Sequence, residues 1–195
     1  MENNRLAKRF FGRTGTIPFV RGASFIYHTP KSNTAKIVYD FKYYDNPLLA
    51  RNIGEMMACE IGEDFFHDID FIIPVPINYK KRWKRGYNQS EELSKGIAKG
   101  VKKICSKSIP IMNNAIKRSE NNISQTRLSH LQRIDNIKDV FYLNEKAYKN
   151  KDIQNCHVLI VDDIITTGST VIECIKQLQP IKGIKVSVLS LGCIR

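Results

Sequence analysis

An unbroken run of four apolar residues, Val158 to Val161, limits the folds open to this chain more than any other stretch. A strand needs apolar side chains on both faces only when helices cover both of its sides. The residues that follow, 169–179, have apolar side chains at helical spacing and stop before Pro180, which cannot continue a helix. The run therefore predicts a central strand at 157–162 in a parallel sheet that lies between helices.

Strands and helices alternate along the chain after about residue 69, and this order is typical of a parallel α/β sheet. Before that point the pattern is less regular, so we expect an N-terminal segment of residues 1–68 ahead of a core of residues 69–195. The predicted elements are strands at 23–27, 71–75, 157–162 and 184–191, and helices at 34–44, 47–61, 88–103 and 169–179.

The chain of 195 residues has a net charge of +12, which predicts a negatively charged partner such as a phosphorylated small molecule, a nucleic acid or an anionic membrane surface. No apolar run approaches the roughly 20 residues of a membrane span, and the N-terminus lacks a secretory apolar core. We therefore expect a cytoplasmic protein without membrane insertion. The five cysteines form no Cys-x-x-Cys pair, so neither a disulfide framework nor a metal site held by the protein is predicted.

Two acids and a hydroxyl-rich turn follow the predicted central strand. Asp162 and Asp163 stand at its carboxyl end, the edge at which open α/β sheets bind ligands. We expect the acids to bind the hydroxyls of a ribose, which both can do only if the strand already turns at Asp162. The turn offers hydroxyls, a glycine and the free N–H groups of a helix start, and is expected to bind a phosphate monoester. Its residues are Thr166, Thr167, Gly168, Ser169 and Thr170.

Other interpretations of this motif are weaker. The turn lacks the glycine spacing and the lysine of a nucleotide P-loop. Phosphorylated receiver domains also have an acid pair at a strand end, but their pair lies near the start of the domain. In a purely structural interpretation, Thr166 and Ser169 only cap a helix. The order of buried strand, acid pair, glycine turn and helix favours a ligand site over that interpretation.

The motif VLIVDDIITTGST, residues 158–170, resembles the site of type I phosphoribosyltransferases that binds phosphoribosyl pyrophosphate (PRPP). The resemblance implies that family's α/β fold, with a central, mostly parallel sheet flanked by helices and a small N-terminal hood within residues 23–68. It also implies that PRPP binds with Mg²⁺, that Asp162 and Asp163 contact the ribose hydroxyls, and that the turn binds the 5′-phosphate. The acceptor of the phosphoribosyl group would then be selected by the hood.

A basic segment, residues 79–103, holds nine Lys or Arg and two Glu. Its first cations follow the strand at 71–75 and so lie at the same sheet edge as the acid pair. We expect Lys81, Arg82 and Arg85 to contact a pyrophosphate there, whereas the lysines farther along form a solvated helix face. Residues 72–100, IIPVPINYKKRWKRGYNQSEELSKGIAKG, also resemble ComF proteins, in which a Pro-x-Pro strand end leads through a basic loop to Arg-Gly-Phe/Tyr-Asn-Gln.

Residues 118–141 begin with a polar stretch without periodicity, which predicts a loop, and end in a short strand. They resemble the flexible loop of ComF and amidophosphoribosyltransferase-like proteins. By that resemblance Arg118, Gln125 and Arg127 would close over the pyrophosphate and exclude water, although an ordinary surface loop stays open for Arg127. Residues 1–22 resemble the stretch after the ComF zinc ribbon, so we expect either that the sequence begins after that ribbon or that the protein lacks it.

Two functions follow from these resemblances. The first is an enzyme that transfers the phosphoribosyl group through an oxocarbenium-like centre to an unnamed acceptor, with release of pyrophosphate. The second is a non-catalytic factor of DNA uptake in natural competence, in which the basic surface binds single-stranded DNA and PRPP binding is regulatory or residual. Trp83 and Tyr87 would stack on bases in that role, or else pack the basic loop onto the sheet. Competence proteins would be further partners.

Overall fold

The computed structural model describes residues 5–28, 46–119, 140–148 and 152–194, apart from the side chains of residues 5, 27, 28, 81, 84 and 194. The helices are α1 (Arg5–Lys8), α2 (Pro47–Ile61), α3 (Tyr79–Arg85), α4 (Gln89–Cys105) and α5 (Ser169–Lys176). The strands are β1 (Phe19–His28), β2 (Phe71–Pro74), β3 (Ile116–Arg118), β4 (Phe141–Leu143), β5 (His157–Ile165) and β6 (Lys185–Ile194). The predicted helix at 34–44 lies outside the described residues.

Four strands form a parallel sheet in the order β1-β6-β5-β2. β5 lies between two partners, with Val158 opposite Val186 on one side and Phe71 on the other. Every residue from Val158 to Val161 is buried. These observations confirm the prediction of a central strand in an α/β fold, because both faces of the apolar run are covered.

The two faces of the sheet are covered by different helices. Val158 and Ile160 pack in one apolar cluster with α1, α5 and the β3–β4 pair, whereas Leu159 and Val161 pack in the other with α2 and α4. Val171 and Ile175 are therefore core residues, as their helical spacing predicted. The helix α5 is shorter than predicted, because it ends at Lys176 and residues 177–180 form a turn. The cores on both sides hold the carboxyl ends of the strands in place.

Two glycines let α2 and α4 approach each other closely. A Cβ atom added at Gly96 would lie 2.0 Å from the backbone oxygen of Arg51, and one added at Gly54 would lie 2.3 Å from that of Leu93. An ion pair between Arg51 and Glu92 joins the same helices. This packing fixes α4 against the sheet and places its N-terminus beside the ends of β2 and β5.

The described parts of the N-terminal segment are attached to the sheet. β1 pairs with β6 over most of its length, and α2, which has the predicted bounds, packs on α4. The division of the chain at residues 68 and 69 stays a prediction. Among the described residues, no helix combines the length and the apolar character that a bilayer crossing requires.

Candidate functional site

A cavity of about 270 Å³ opens at the carboxyl ends of β2 and β5. Residues from five parts of the chain line it: residues 75–78 after β2, the end of α3, the start of α4, the end of β3, and the segment from β5 into α5. Six of the predicted site residues line the cavity, namely Arg85, Arg118, Asp162, Asp163, Thr166 and Thr170. The structure thus brings together the acid pair, two of the five predicted turn residues and two of the predicted cations.

Asp162 and Asp163 both line the cavity, although β5 continues to Ile165. The expectation that the strand ends at residue 162 is therefore wrong. Ile165 packs in the same apolar cluster as Val158 and Ile160, so the alternation of side chains changes between Val161 and Ile165. Because the alternation of side chains is interrupted there, two successive acids reach the same cavity although the strand continues.

The carboxylate of Asp162 is held by its surroundings. It is 9% exposed, and its Oδ1 accepts hydrogen bonds from the Ser90 hydroxyl at 3.3 Å and from the backbone N–H of Asp163 at 2.9 Å. Burial, and then the neighbouring charge of Asp163, raise the pKa of Asp162 well above its ordinary value. Keeping this buried acid costs stability, which is typical of a residue retained for binding or catalysis.

The turn after β5 has a backbone that glycine permits. Gly168 has φ 79°, in the left-handed region, and caps α5 with its backbone alone. The Thr167 hydroxyl lies 2.9 Å from the Ser169 hydroxyl and accepts from the Ser169 N–H at 3.3 Å. The structural interpretation, in which Thr166 and Ser169 cap the helix, thus has no support in the contacts. Thr166 and Thr170 line the cavity, whereas Thr167, Gly168 and Ser169 do not.

The predicted basic loop is a short helix, so that prediction is wrong. Asn78 begins α3 by accepting from the Lys80 N–H at 2.9 Å, and Gly86 ends it with φ 74°. This Asn-to-Gly spacing is a helix signal that the sequence offered. Arg85 lines the cavity, whereas Arg82 lines a neighbouring one and lies 3.6 Å from Glu91. Lys81 is in α3, but its side chain is outside the described part of the chain.

Arg118 was predicted at the start of a polar loop, but it is the last residue of β3. Its guanidinium lies 5.3 Å from the centre of the Phe141 ring, opposite it in the β3–β4 pair. The buried Nε atom has no hydrogen-bond partner among the described residues, and burial lowers the pKa of the guanidinium. An unsatisfied arginine donor beside an acid pair indicates an anion site. Gln125 and Arg127 lie outside the described residues.

The first turn of α4 contributes residues that the sequence did not indicate as ligands. Asn88 donates to the Val75 backbone oxygen at 3.0 Å and accepts from the Ser90 N–H at 3.1 Å, so it caps the start of α4. Gln89 and Ser90 also line the cavity. The pairing of β2 beside β5 brings them to the acids, and one sequence carries no direct signal for that pairing.

Two further observations describe the surroundings of the site. Trp83 is 81% exposed on α3, so the interpretation that it packs the segment onto the sheet is wrong. Among residues 5–28, 46–119, 140–148 and 152–194, no group of three or more His, Cys, Asp or Glu side chains is placed to hold a metal ion. Asp162 and Asp163 supply the carboxylates of the cavity.

Comparison with known proteins shows the family. The phosphoribosyl transferase domain family matches residues 42–190. Competence protein F of Haemophilus influenzae is 36% identical over 160 residues, which are 80% of this chain and 66% of that protein. The DNA utilization protein YhgH of Escherichia coli O157:H7 is 36% identical over 104 residues, which are 53% of this chain and 40% of that protein.

The YhgH protein of Salmonella typhimurium is 34% identical over 104 residues, again 40% of its length. The chain thus spans just under two thirds of the Haemophilus protein and less than half of the two YhgH proteins. The matched family covers most of the chain and includes both the acid pair and the turn. The chain therefore belongs to the phosphoribosyltransferase family and, within it, to the ComF family of competence-associated proteins.

Proposed function

We propose that the chain binds PRPP with magnesium and transfers the phosphoribosyl group to an acceptor, with release of pyrophosphate. One observation carries this proposal: an acid pair, a hydroxyl-bearing turn at a helix start and two arginines line the same cavity of about 270 Å³. Each of these features is common alone. Together they supply acceptors for sugar hydroxyls, donors for a phosphate, and cations for a second anionic group.

The ribose 5-phosphate end of PRPP is assigned to β5 and the turn after it. Asp163 is only half-buried, and its Oδ1 accepts from the Ile164 N–H at 2.6 Å, which fixes the side chain. The second oxygens of both carboxylates can accept hydrogen bonds from the ribose hydroxyls. The N-terminal N–H groups of α5 and the hydroxyls of Thr166 and Thr170 are suited to the 5′-phosphate. Thr167, Gly168 and Ser169 shape this turn.

The pyrophosphate end is assigned to the cations around α3 and β3. Arg85 and Arg118 line the cavity from distant segments of the chain, and a planar guanidinium can bind phosphate oxygens through two hydrogen bonds. Arg82 of the same helix, which lines the neighbouring cavity, would extend this contact. The unpaired Nε of Arg118 would gain its hydrogen-bond partner only when an anion binds.

During transfer, the bond between ribose C1 and the pyrophosphate oxygen breaks, and pyrophosphate leaves with the electron pair. An acceptor atom donates the pair for the new bond at C1, and the proton of the acceptor passes to water. Positive charge develops on the ribose ring as the first bond breaks. The carboxylates of Asp162 and Asp163, held in a largely buried environment, stabilise that charge by electrostatics without a covalent enzyme intermediate.

The donor set of the cavity fits magnesium. Magnesium is usually bound by one or two carboxylates together with substrate phosphates and water, so the acid pair suffices on the side of the protein. Asp162 and Asp163, directly or through water, would hold the ion, which when bound neutralises pyrophosphate charge and makes it a better leaving group. The cations of the cavity alone do not match the charge of a pyrophosphate and a phosphate together.

Titration calorimetry with PRPP, with and without magnesium, tests this proposal. We expect binding that requires the divalent cation, and a loss of about 100-fold or more in the Asp162→Asn/Asp163→Asn double variant, since each charge-assisted bond contributes about 1.5–3 kcal/mol. Asp152→Asn, at an exposed acid away from the cavity, is the matched control. Equal affinity without magnesium, or an unchanged affinity of the double variant, would contradict the site.

A second function, binding of single-stranded DNA, is favoured by the exposure of Trp83 between Arg82 and Arg85. An exposed aromatic ring beside cations can stack on a base while the cations contact phosphates. The names of the YhgH relatives mention DNA utilization, and that of the Haemophilus protein mentions competence. In this function the basic surface is the active feature and PRPP binding regulates it or is residual.

Intrinsic fluorescence separates this second function from the first. Trp83 is the single tryptophan of the chain, so quenching by a thymidine oligonucleotide would report on that side chain alone. Binding should weaken with salt, and the slope of this dependence should flatten by about 0.7 for each phosphate contact that Arg82→Gln or Arg85→Gln removes. Unquenched emission at low salt, where binding is strongest, would count against DNA contact at α3.

A further inference from the structure

A second cavity, of about 440 Å³, adjoins the proposed PRPP cavity. The two share four lining residues, Pro76, Ile77, Asn88 and Arg118. Asn88 is fixed in this common wall, because its side chain bonds to Val75 on one side and to Ser90 on the other. A ligand in the second cavity would therefore contact the same arginine as the leaving group of PRPP.

Two tyrosines line the second cavity with much of their surface free. Tyr79 at the start of α3 is 58% exposed, and Tyr142 in β4 is 47% exposed. Tyr142 lies directly opposite Lys117 in the β3–β4 pair, so both side chains leave the same face of the hairpin. Rings placed in this way offer flat apolar surfaces on which a planar group can stack.

The charge of the second cavity is positive. Arg82, Lys117 and Arg118 line it, and Glu91 is the acid among its lining residues. Glu91 lies 3.6 Å from Arg82, so that pair is largely compensated. Lys117 is exposed, and Arg118 has its buried Nε without a partner among the described residues. The cavity is therefore suited to an anion.

We propose that this second cavity, which contains no residue of the expected hood, binds the acceptor of the transfer, and that the acceptor is a planar ring with a negatively charged substituent, such as an aromatic carboxylate. Pyrophosphate is a compact anion without a flat surface, so it would leave Tyr79 and Tyr142 unused. The shared wall, which includes Arg118, places a ligand of the second cavity beside the proposed pyrophosphate end of PRPP. This assignment rests on the proposed function, since an acceptor requires bound PRPP.

Three small probes separate charge from planarity. Benzoate is planar and anionic, benzamide is planar and neutral, and cyclohexanecarboxylate is anionic and not planar. We expect NMR titrations to show benzoate binding about 2- to 10-fold more tightly than either of the others, which is the scale of one aromatic contact or one exposed charge pair. Shifted resonances should include those of Tyr142 and Lys117, and prior addition of PRPP with magnesium should leave benzoate bound.

Two variants test whether the preference for benzoate arises in the second cavity. Lys117→Gln should weaken benzoate and leave benzamide unchanged, whereas Tyr142→Leu should weaken both planar probes and leave cyclohexanecarboxylate unchanged. Lys146→Gln, which removes an exposed charge close by in sequence, is the control. Tyr79→Leu repeats the planarity test on α3 if Tyr142→Leu does not fold. Both variants should still bind PRPP, because neither Lys117 nor Tyr142 lines the first cavity.

The outcomes distinguish this inference from the function on which it rests. Equal binding of the three probes, or a preference for benzoate that both variants retain, overturns the assignment of the ligand while PRPP binding stands. Competition between benzoate and PRPP for one site also overturns it. Benzoate binding in a protein that does not bind PRPP overturns the proposed transfer and with it the acceptor role.

Discussion

The hydroxyl of Ser90 donates a hydrogen bond to the Oδ1 of Asp162 across 3.3 Å, and so joins the first turn of α4 to the central strand. The two residues are far apart in sequence, and they meet because β2, which leads into α3 and α4, pairs directly with β5. The protein thereby holds one carboxylate oxygen of Asp162, Oδ1, in place. Its other oxygen is left to the cavity, where the proposed ribose would bind.

Replacing Asp162 by Asn should stabilise the protein while weakening PRPP binding. The folded-state pKa of Asp162 is raised by burial and by Asp163, so the acid favours folding only at low pH, and this contribution is lost as pH rises through the folded pKa. At pH 7 we expect Asp162→Asn to melt a few degrees higher than the wild type. Thermal melting followed by circular dichroism measures this difference.

The pH dependence provides the control for this prediction. Below a pH of about 4, the ordinary pKa of an unfolded aspartate, the acid is protonated in both states and the gain should vanish. Asp64→Asn, at an exposed position, should melt as the wild type does throughout. A variant that melts lower than the wild type at pH 7 would show that the Asp162 carboxylate stabilises the fold.

The sequence predicted the sheet because its signals are local. The apolar run at Val158–Val161 and the helical stripe at Val171 and Ile175 each report their own burial, and both proved to be core. The acid pair and its turn are contiguous, so their meeting at one cavity also followed from the sequence. The positions of the acid pair and the turn depend only on β5 and α5, which are adjacent in the chain.

The parts of the site that were missed depend on contacts between distant segments. Ser90, which the sequence did not indicate, reaches Asp162 through the pairing of β2 with β5. Arg118 was predicted from the resemblance alone, and its pairing with Phe141 of β4 is likewise a contact between distant segments. The helix α3 was missed for another reason. Its seven residues are rich in cations and have no apolar stripe, so only Asn78 and Gly86 at its ends indicated it.

Replacing Gly96 by Ala should destabilise the protein. The new Cβ atom would lie 2.0 Å from the backbone oxygen of Arg51, which cannot move without shifting α2. Overpacking of this kind costs about 1–3 kcal/mol, which exceeds the gain of about 1 kcal/mol that alanine brings to a helix. Urea denaturation measures the free energy of unfolding. Lys102→Ala on the exposed side of α4 is the control, and an equal decrease in both variants would contradict the close approach of the helices.

The contribution of His157 to stability should fall as the pH decreases from 7 to 5, whereas that of the Asp162 carboxyl changes in the opposite direction. Burial lowers the pKa of His157, although its hydrogen bond to Asp68 opposes this effect. The ring Nδ1 lies 2.9 Å from the Asp68 carboxylate and Nε2 lies 2.8 Å from the Ser187 hydroxyl. Because the unfolded state binds a proton at about pH 6.5 and the folded state does so only at lower pH, protonation favours unfolding.

His157→Asn keeps a donor to Asp68 and removes the titrating ring, so it isolates this effect. We expect the melting temperature of the variant to increase relative to that of the wild type as the pH decreases from 7 to 5. His67→Asn, at an exposed histidine, should retain the wild-type dependence. If His157→Asn and the wild type have parallel profiles, the buried histidine does not account for the decrease in stability.

Replacing Arg118 should weaken PRPP binding with little effect on stability. The buried Nε has no hydrogen-bond partner among the described residues, so folding does not depend on a bond from that atom, and burial already disfavours the charge. In Arg118→Met the stem still packs against Phe141, and PRPP should bind about 10- to 100-fold more weakly if one or two charge-assisted bonds are removed. Arg118→Lys should restore little of the PRPP affinity, because an ammonium cannot form the paired bonds of a guanidinium.

Calorimetry with PRPP and magnesium measures the affinity, and thermal melting measures the stability. Arg51→Met, which breaks the ion pair with Glu92 away from the cavity, should give the opposite result: a lower melting temperature and unchanged PRPP affinity. An Arg118→Met variant that unfolds yet binds PRPP normally when refolded at low temperature would make Arg118 a structural residue, and the pyrophosphate would then depend on Arg85 and α3 alone.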